Sequence, residues 1–281
     1  MDLLILSEIP PWDWPENAGK TIIEVLLDKN AGTADRILAA ELAGDGTVMN
    51  DNIAVHLLDI VRDSDEPEDL RCKAAISLGP ALDYAETMEF DDYDDIMLSE
   101  KGFHEVRERL REIYEDAGTP KMVKRRILAA AVRAPMDWHK KAIQTAYSAN
   151  DHEWLLTSVF SMGYIKGFEN RILESLKNEN PDVYYEAVCA AGQWGIKAAW
   201  PYIKEIFTGG DKNRPLLFAA IEAAGNIAAP EAVDILVELS HSNDEEIEEA
   251  ANDALIMTEL ANDDMSDDDM SGDDFSRDDL F

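Results

Sequence analysis

Apolar and small residues recur along this chain in ten-residue blocks. Each block opens on an apolar side chain, carries paired small residues in the middle and closes on a small or apolar one; the blocks span 35–44, 70–79, 123–132, 154–163, 183–192, 216–225 and 247–256. Block positions 1, 5, 8 and 9 fall on one side of an α-helix. Ahead of the blocks stand turns rich in capping residues and proline, at 63–67, 118–120, 150–151, 178–182, 213–215 and 243–244. Ahead of the turns comes another amphipathic stretch, as at 54–61, 106–114, 172–176 and 232–239. Helix, turn, helix, about seven times over, predicts an all-α fold of the α-solenoid kind, and no strand-period segment of comparable length competes. The closing residues Gly44, Gly79, Val132, Gly163, Gly192, Gly225 and Ile256 stand 35, 53, 31, 29, 33 and 31 positions apart, so the second interval carries an insertion. Small residues at mid-block let a neighbouring helix come close, and a closing glycine suits a helix C-terminus.

Two phrases carry a family resemblance: Leu70-Arg71-Cys72-Lys73-Ala74-Ala75-Ile76-Ser77-Leu78-Gly79, and Ala223-Ala224-Gly225-Asn226-Ile227-Ala228-Ala229-Pro230. The chain resembles the HEAT-like repeat family in its short form, that of the phycobiliprotein lyases and many bacterial repeat proteins. The resemblance covers about 18–261 and implies helix-turn-helix repeats whose second helices line a concave face. It also implies a basic residue at block position 2, met here by Arg36, Arg71 and Lys124. Positions 184, 217 and 248 hold Tyr, Leu and Glu, so a ladder of basic and acidic residues along the whole array is not expected.

The segments outside the pattern divide the chain further. Residues 1–17, with Trp12 and Trp14 between prolines, are expected to cap the first repeat. Residues 83–100, the insertion, hold eight acidic residues and no basic one, and read as a solvated loop or a contact loop. Residues 262–281 repeat in pentads that place Met265, Met270, Phe275 and Leu280 five apart among nine Asp and one Arg. That spacing matches neither helix nor strand, so a disordered acidic tail with apolar anchors is expected.

Charge narrows the partners. The chain holds 59 Asp+Glu against 25 Lys+Arg, a formal net charge of −34. Broad contact with nucleic-acid phosphates or an anionic membrane needs clustered cations, so neither is expected. Residues 101–141 run the other way, with eleven Lys+Arg and six Asp+Glu. Two cysteines exclude a disulfide scaffold. The opening residues show neither a basic leader nor a membrane span, and a cytoplasmic location is expected.

Catalytic chemistry finds little support. Ala18-Gly19-Lys20-Thr21 imitates the end of a phosphate-binding loop, but Trp14 stands where its first glycine belongs. His104-Glu105 and His152-Glu153 are two His-Glu pairs, where HEAT-type enzymes of the deoxyhypusine hydroxylase kind use four to hold iron. Asp267, Asp269, Ser271, Gly272 and Asp278 fit a calcium loop in part, yet position 8 is Asp274 and no helices flank it. No metal, cofactor or catalytic residue is therefore assigned.

Block positions 3 and 7 point away from the core and, by the resemblance, toward the concave face. There the fourth to sixth blocks place Leu156, Phe160, Tyr185 and Phe218, with Trp194 just past the fifth, beside the cations Lys124, Arg125 and Arg126. Aromatic anchors beside cations suit an acidic peptide, and the chain's own tail has that composition. The reading is a non-catalytic protein-interaction scaffold or adaptor binding a protein or peptide. Its alternatives are a phycobilin-lyase-like enzyme handling a bulky prosthetic group, or an acidic chaperone for basic proteins.

Overall fold

The computed structural model describes residues 3–88, 97–209 and 213–268, with 261–268 as backbone alone. Among these residues there are helices and turns and no strand. Seven helix pairs follow one another: α2 (Ala18–Leu27) with α3 (Thr33–Leu42), α4 (Asp51–Arg62) with α5 (Glu68–Ile76), α7 (Glu100–Glu115) with α8 (Lys121–Ala131), α9 (Asp137–Tyr147) with α10 (His152–Met162), α11 (Glu169–Ser175) with α12 (Pro181–Gln193), α13 (Trp200–Thr208) with α14 (Arg214–Ile227), and α15 (Pro230–Leu239) with α16 (Glu245–Asp268). Two helices stand outside the pairs, α1 (Leu3–Glu8) and α6 (Gly79–Thr87). Every ten-residue block lies on a second helix and begins at that helix's third residue. The chain is an all-α array of helix-turn-helix repeats. It divides into two compact units, Met1–Thr157 and Ser158–Phe281, with the division inside α10.

Turn chemistry starts the helices. Asn50 accepts from the N–H groups of Asn52 and Ile53 (3.0 and 3.1 Å) to open α4, and Asn180 accepts from Asp182 and Val183 (2.9 and 3.1 Å) to open α12. Asn213 does the same for α14 and Ser99 for α7. Each bond satisfies an N–H that the first helical turn leaves without an internal partner.

In the first unit the second helices stack in order, α3 on α5 and α5 on α8. Their apolar sides merge with those of α2, α4 and α7 into one core that includes Ile22, Leu26, Leu57, Leu58, Leu70, Leu110 and Ile127. In the second unit α12, α14 and α16 stack the same way, over a core that includes Ile172, Val188, Ile203, Ala220, Ala224 and Leu236.

Four sequence expectations need correction. First, the closing glycines do not end their helices in a left-handed conformation; among the described residues, positive φ at glycine belongs to Gly167 and Gly195. They are contact points instead. A Cβ on Gly192 would lie 2.7 Å from Cα of Ala223, and one on Gly225 would lie 2.8 Å from the Ala254 carbonyl oxygen, in each case on the next second helix. Glycine is placed there because backbones meet. Second, the insertion is not wholly a solvated loop. It opens within α6, which buries Ala81, Leu82 and Ala85, and it returns through Leu98, fully buried. Ser99 then donates from its N–H and hydroxyl to Asp51 at the start of α4 (2.9 and 2.6 Å). Phe90, Tyr93 and Ile96 lie outside the described residues.

Third, the two tryptophans do not share the work at the N-terminus. Leu3 and Leu6 of α1 are buried against α2 and α3, and Trp14 folds back to donate from Nε1 to the Leu6 carbonyl (2.9 Å). Trp12 is 79% exposed. Fourth, α16 continues to Asp268, past the start of the acidic pentads. No glycine or proline stands between Glu245 and Gly272 to stop it, and extending a formed helix costs little per residue. Met270, Phe275 and Leu280, and most of the calcium-loop positions, lie outside the described residues.

Candidate protein-interaction surface

Ion pairs between successive repeats come before any surface, because they use up charges that would otherwise face solvent. Arg36 of α3 is 6% exposed; it donates from Nε to the Leu26 carbonyl (2.9 Å) and grips Glu66 with both terminal nitrogens (2.6 and 2.9 Å). Glu66 lies in the turn before α5, and the Arg36 guanidinium holds its carboxyl below the usual range. Arg71 repeats the first half of this contact, donating from Nε to the Val61 carbonyl (2.9 Å).

Further along, the rungs move to other positions. Lys121 opens α8 and reaches Asp151 and Glu153 (both 2.8 Å); Asp151 meanwhile accepts from the N–H groups of Glu153 and Trp154 at the head of α10. Arg214 opens α14 and reaches both oxygens of Asp244 (2.6 and 2.9 Å) and also Glu246. Asp244, held down to about 2 first by Arg214, also accepts from the Ile247 N–H at the head of α16. One turn carboxylate thus caps its own helix and binds the preceding repeat. A partial ladder is built in both units, although Leu217 and Glu248 occupy the expected basic positions.

This ladder consumes part of the expected basic island in the first unit. Arg125 is 7% exposed, donating from Nε to the Thr157 hydroxyl (3.0 Å) and pairing with Glu153 (3.2 Å). It is therefore removed from the set of cations open to a partner, because its flexible arm folds onto the next turn instead of into solvent. Lys124 is half-buried and lies 5.8 Å over the Tyr114 ring, and Arg126 is exposed. Leu156, also in the first unit, is half-buried.

In the second unit, Phe160, Tyr185, Trp194 and Phe218 are all half-buried, between the closed core and open solvent. Phe160 packs against Tyr164 in a tilted arrangement, with ring centroids 5.3 Å apart. Trp194 donates from Nε1 to the Met162 carbonyl (2.7 Å), and Lys166 lies 5.3 Å over its ring. Tyr185 and Cys189, one turn apart on α12, share a side-chain hydrogen bond. Tyr185 is pushed up to about 12 by Cys189 first and burial second; Cys189 is pushed up to about 11 by burial, then Glu186. Glu222 of α14 acts on both.

Phe218 opens into a groove of about 310 Å³ between α14 and α16, lined also by Ile221, Glu222, Asn226, Asp253 and Met257. Phe218 and Glu222 are block positions 3 and 7 of the sixth repeat, and Asp253 is position 7 of the seventh. Met257 falls one residue beyond the last block and carried no sequence signal beyond the helical period, yet it stands 50% exposed.

Among the described residues, no three His, Cys, Asp or Glu side chains are placed to hold a metal ion. His104 faces Glu100 at 4.0 Å on its own helix, and His152 is exposed at the head of α10. Burial pushes the Cys72 thiol up to about 11, so neither cysteine resembles an activated nucleophile. Among these residues, no helix is long and apolar enough to cross a membrane.

Comparison with known proteins supports the repeat pattern. No curated protein matches the chain. Among solved structures, that of human deoxyhypusine hydroxylase in complex with glycerol is similar at 16% identity, over 92% of this chain and 88% of that one, with a TM-score of 0.38. The crystal structure of an engineered protein is similar at 16% identity, over 87% and 98%, also with a TM-score of 0.38. The family described as HEAT repeats matches residues 169–256. That stretch runs from α11 through the first half of α16, and over it the helix-turn-helix pattern is that of HEAT repeats.

Proposed function

We propose that the chain is a non-catalytic protein-interaction scaffold that binds a protein or peptide on the second-helix face of its second unit. The observation that carries this reading is the half-exposed aromatic series, with Tyr185 and Phe218 at block position 3, Phe160 at position 7 and Trp194 just past its block, ending in the open groove at Phe218. These four side chains are neither closed into the core nor fully exposed, and Trp and Tyr are enriched among the few residues that carry most of the energy at protein interfaces. The thiols, held up near 11 by burial, give no support to a covalent alternative.

Affinity capture from native lysate, with the full chain as bait, tests the proposal. A captured protein is identified, purified and rebound to wild type and to a Tyr185→Ala/Phe218→Ala double variant. Loss of at least tenfold in affinity supports the aromatic face. Clients that are uniformly basic, released by salt and indifferent to the double variant, would instead support an acidic chaperone.

A further inference from the structure

The groove between α14 and α16 has a chemistry of its own, and what it would hold follows from its lining. Phe218, Ile221 and Met257 contribute apolar surface, with Ala250 and Ala254 between them. The polar groups lining it are two exposed carboxylates, Glu222 and Asp253, and the Asn226 amide. Among the described residues, no cation lines the groove. Arg214 lies 5.1 Å over the Phe218 ring but is engaged by Asp244 and Glu246. An acidic occupant would bring carboxylates toward Glu222 and Asp253 with nothing to neutralise them. Like charge therefore disfavours the chain's own Asp-rich tail here, and disfavours the acidic peptide suggested by the basic stretch at 101–141.

Resting on the scaffold reading, we infer that the partner is a basic peptide: an apolar side chain seated on Phe218 and Met257, flanked by lysine or arginine reaching Glu222 and Asp253. The apolar contact supplies affinity, and the paired carboxylates select the sign of the flanking charge. Glu222 also acts on Tyr185 and Cys189 of α12, so the same carboxylate faces the next aromatic of the series.

The test uses the full chain and three short fluorescent peptides of equal length: leucine alternating with lysine, leucine with glutamate, and serine with lysine. Anisotropy at physiological salt should show the leucine–lysine peptide binding at least tenfold tighter than either other peptide. Glu222→Lys/Asp253→Lys should weaken it about tenfold, and Met257→Ser severalfold. Glu231→Lys/Asp234→Lys, the same change in net charge at exposed sites of α15 outside the groove, should leave binding within twofold of wild type. The inference is overturned if this control weakens binding as much as the groove variant, since attraction would then belong to the chain's overall charge. It is overturned equally if the serine–lysine or leucine–glutamate peptide matches the leucine–lysine one. A protein captured through Tyr185 and Phe218 would survive that outcome, so a failure here is distinct from failure of the scaffold reading.

Discussion

Removing Arg36 is the sharpest test of how the first unit holds its repeats together. Arg36→Met keeps most of the side-chain volume and deletes the guanidinium, leaving the Leu26 carbonyl without its Nε donor and Glu66, 8% exposed, without its two-pronged partner. Breaking a buried pair from one side costs about 3–5 kcal/mol, chiefly because a desolvated charge is left behind. Lys29, 3.6 Å from Glu66, is itself 70% exposed and gives only screened compensation. Urea denaturation followed by tryptophan emission should therefore show a loss of about 3 kcal/mol or more. Arg36→Met/Glu66→Met should recover most of it, since two apolar groups of similar volume leave nothing unpaired. The dependence on pH checks the cause. Glu66 has a folded-state pKa below its unfolded value, so its contribution is present above the unfolded pKa and is lost as pH falls through the folded one. The gap between wild type and Arg36→Met should accordingly narrow between pH 6 and pH 3. A single-variant cost under about 1 kcal/mol, or a gap that does not change with pH, would refute the view that this pair clamps the first two repeats.

Three further outcomes follow from the same structure. Gly192→Ala drives a Cβ to 2.7 Å from Cα of Ala223, while the nearest atom to a Cβ on Gly163 is the Phe160 carbonyl oxygen at 3.3 Å; thermal melts should show the first variant destabilised by about 1–3 kcal/mol and the second within about 0.5 kcal/mol of wild type. His139 is fully buried, accepts from the Met136 N–H (2.9 Å) and is pushed down to about 3 by burial, then Arg107. Its unfolded state binds a proton that the fold excludes, so stability should fall as pH drops from about 6.5 toward 3, and His139→Leu should lack this component; equal acid sensitivity in both proteins would contradict it. Cys72 and Cys189, both near 11, should react with a disulfide reagent at pH 8 roughly a hundredfold more slowly than free cysteine, with rates that climb about tenfold per pH unit and level off only near pH 11; labelling of either as fast as free cysteine at pH 8 would contradict it.

Much of the repeat architecture was legible because one period serves two purposes. The blocks mark the second helices so closely that each begins at the third residue of its helix, since the face that packs on the first helix also packs on the next repeat. What escaped was whatever the period does not govern. Ala81, Leu82 and Ala85 do carry helical spacing, but the acidic residues Asp83 and Glu86 on the other side of α6 made the insertion look solvated. The side chain of Arg125 holds a position that elsewhere carries Tyr185 or Phe218, and only the location of Thr157 and Glu153, one repeat later, decides that it turns inward. Local charge counts along a chain cannot register a partner thirty residues away. That is also why the occupant suggested by 101–141 and the occupant favoured by the groove carry opposite charge.

The ladder explains how a chain this acidic can hold its repeats together and still leave carboxylates on the proposed binding face. Carboxylates in the turns are neutralised in place: Glu66 by Arg36, Asp151 by Lys121, Asp244 by Arg214. Each pairing takes a cation from a second helix near its N-terminal end, so the scarce basic residues are spent on contacts between repeats. Glu222 and Asp253 lie farther along α14 and α16 and line the Phe218 groove, to whose walls no described residue contributes a positive group. Self-repulsion of the excess charge weakens a compact state, but at an open groove the same excess acts only on what enters. If the turns hold the repeats together and the groove selects its occupant as proposed, each can be changed without the other: Arg36→Met should leave the proposed preference for basic peptides intact, and Glu222→Lys/Asp253→Lys should alter that preference while the urea midpoint stays close to wild type.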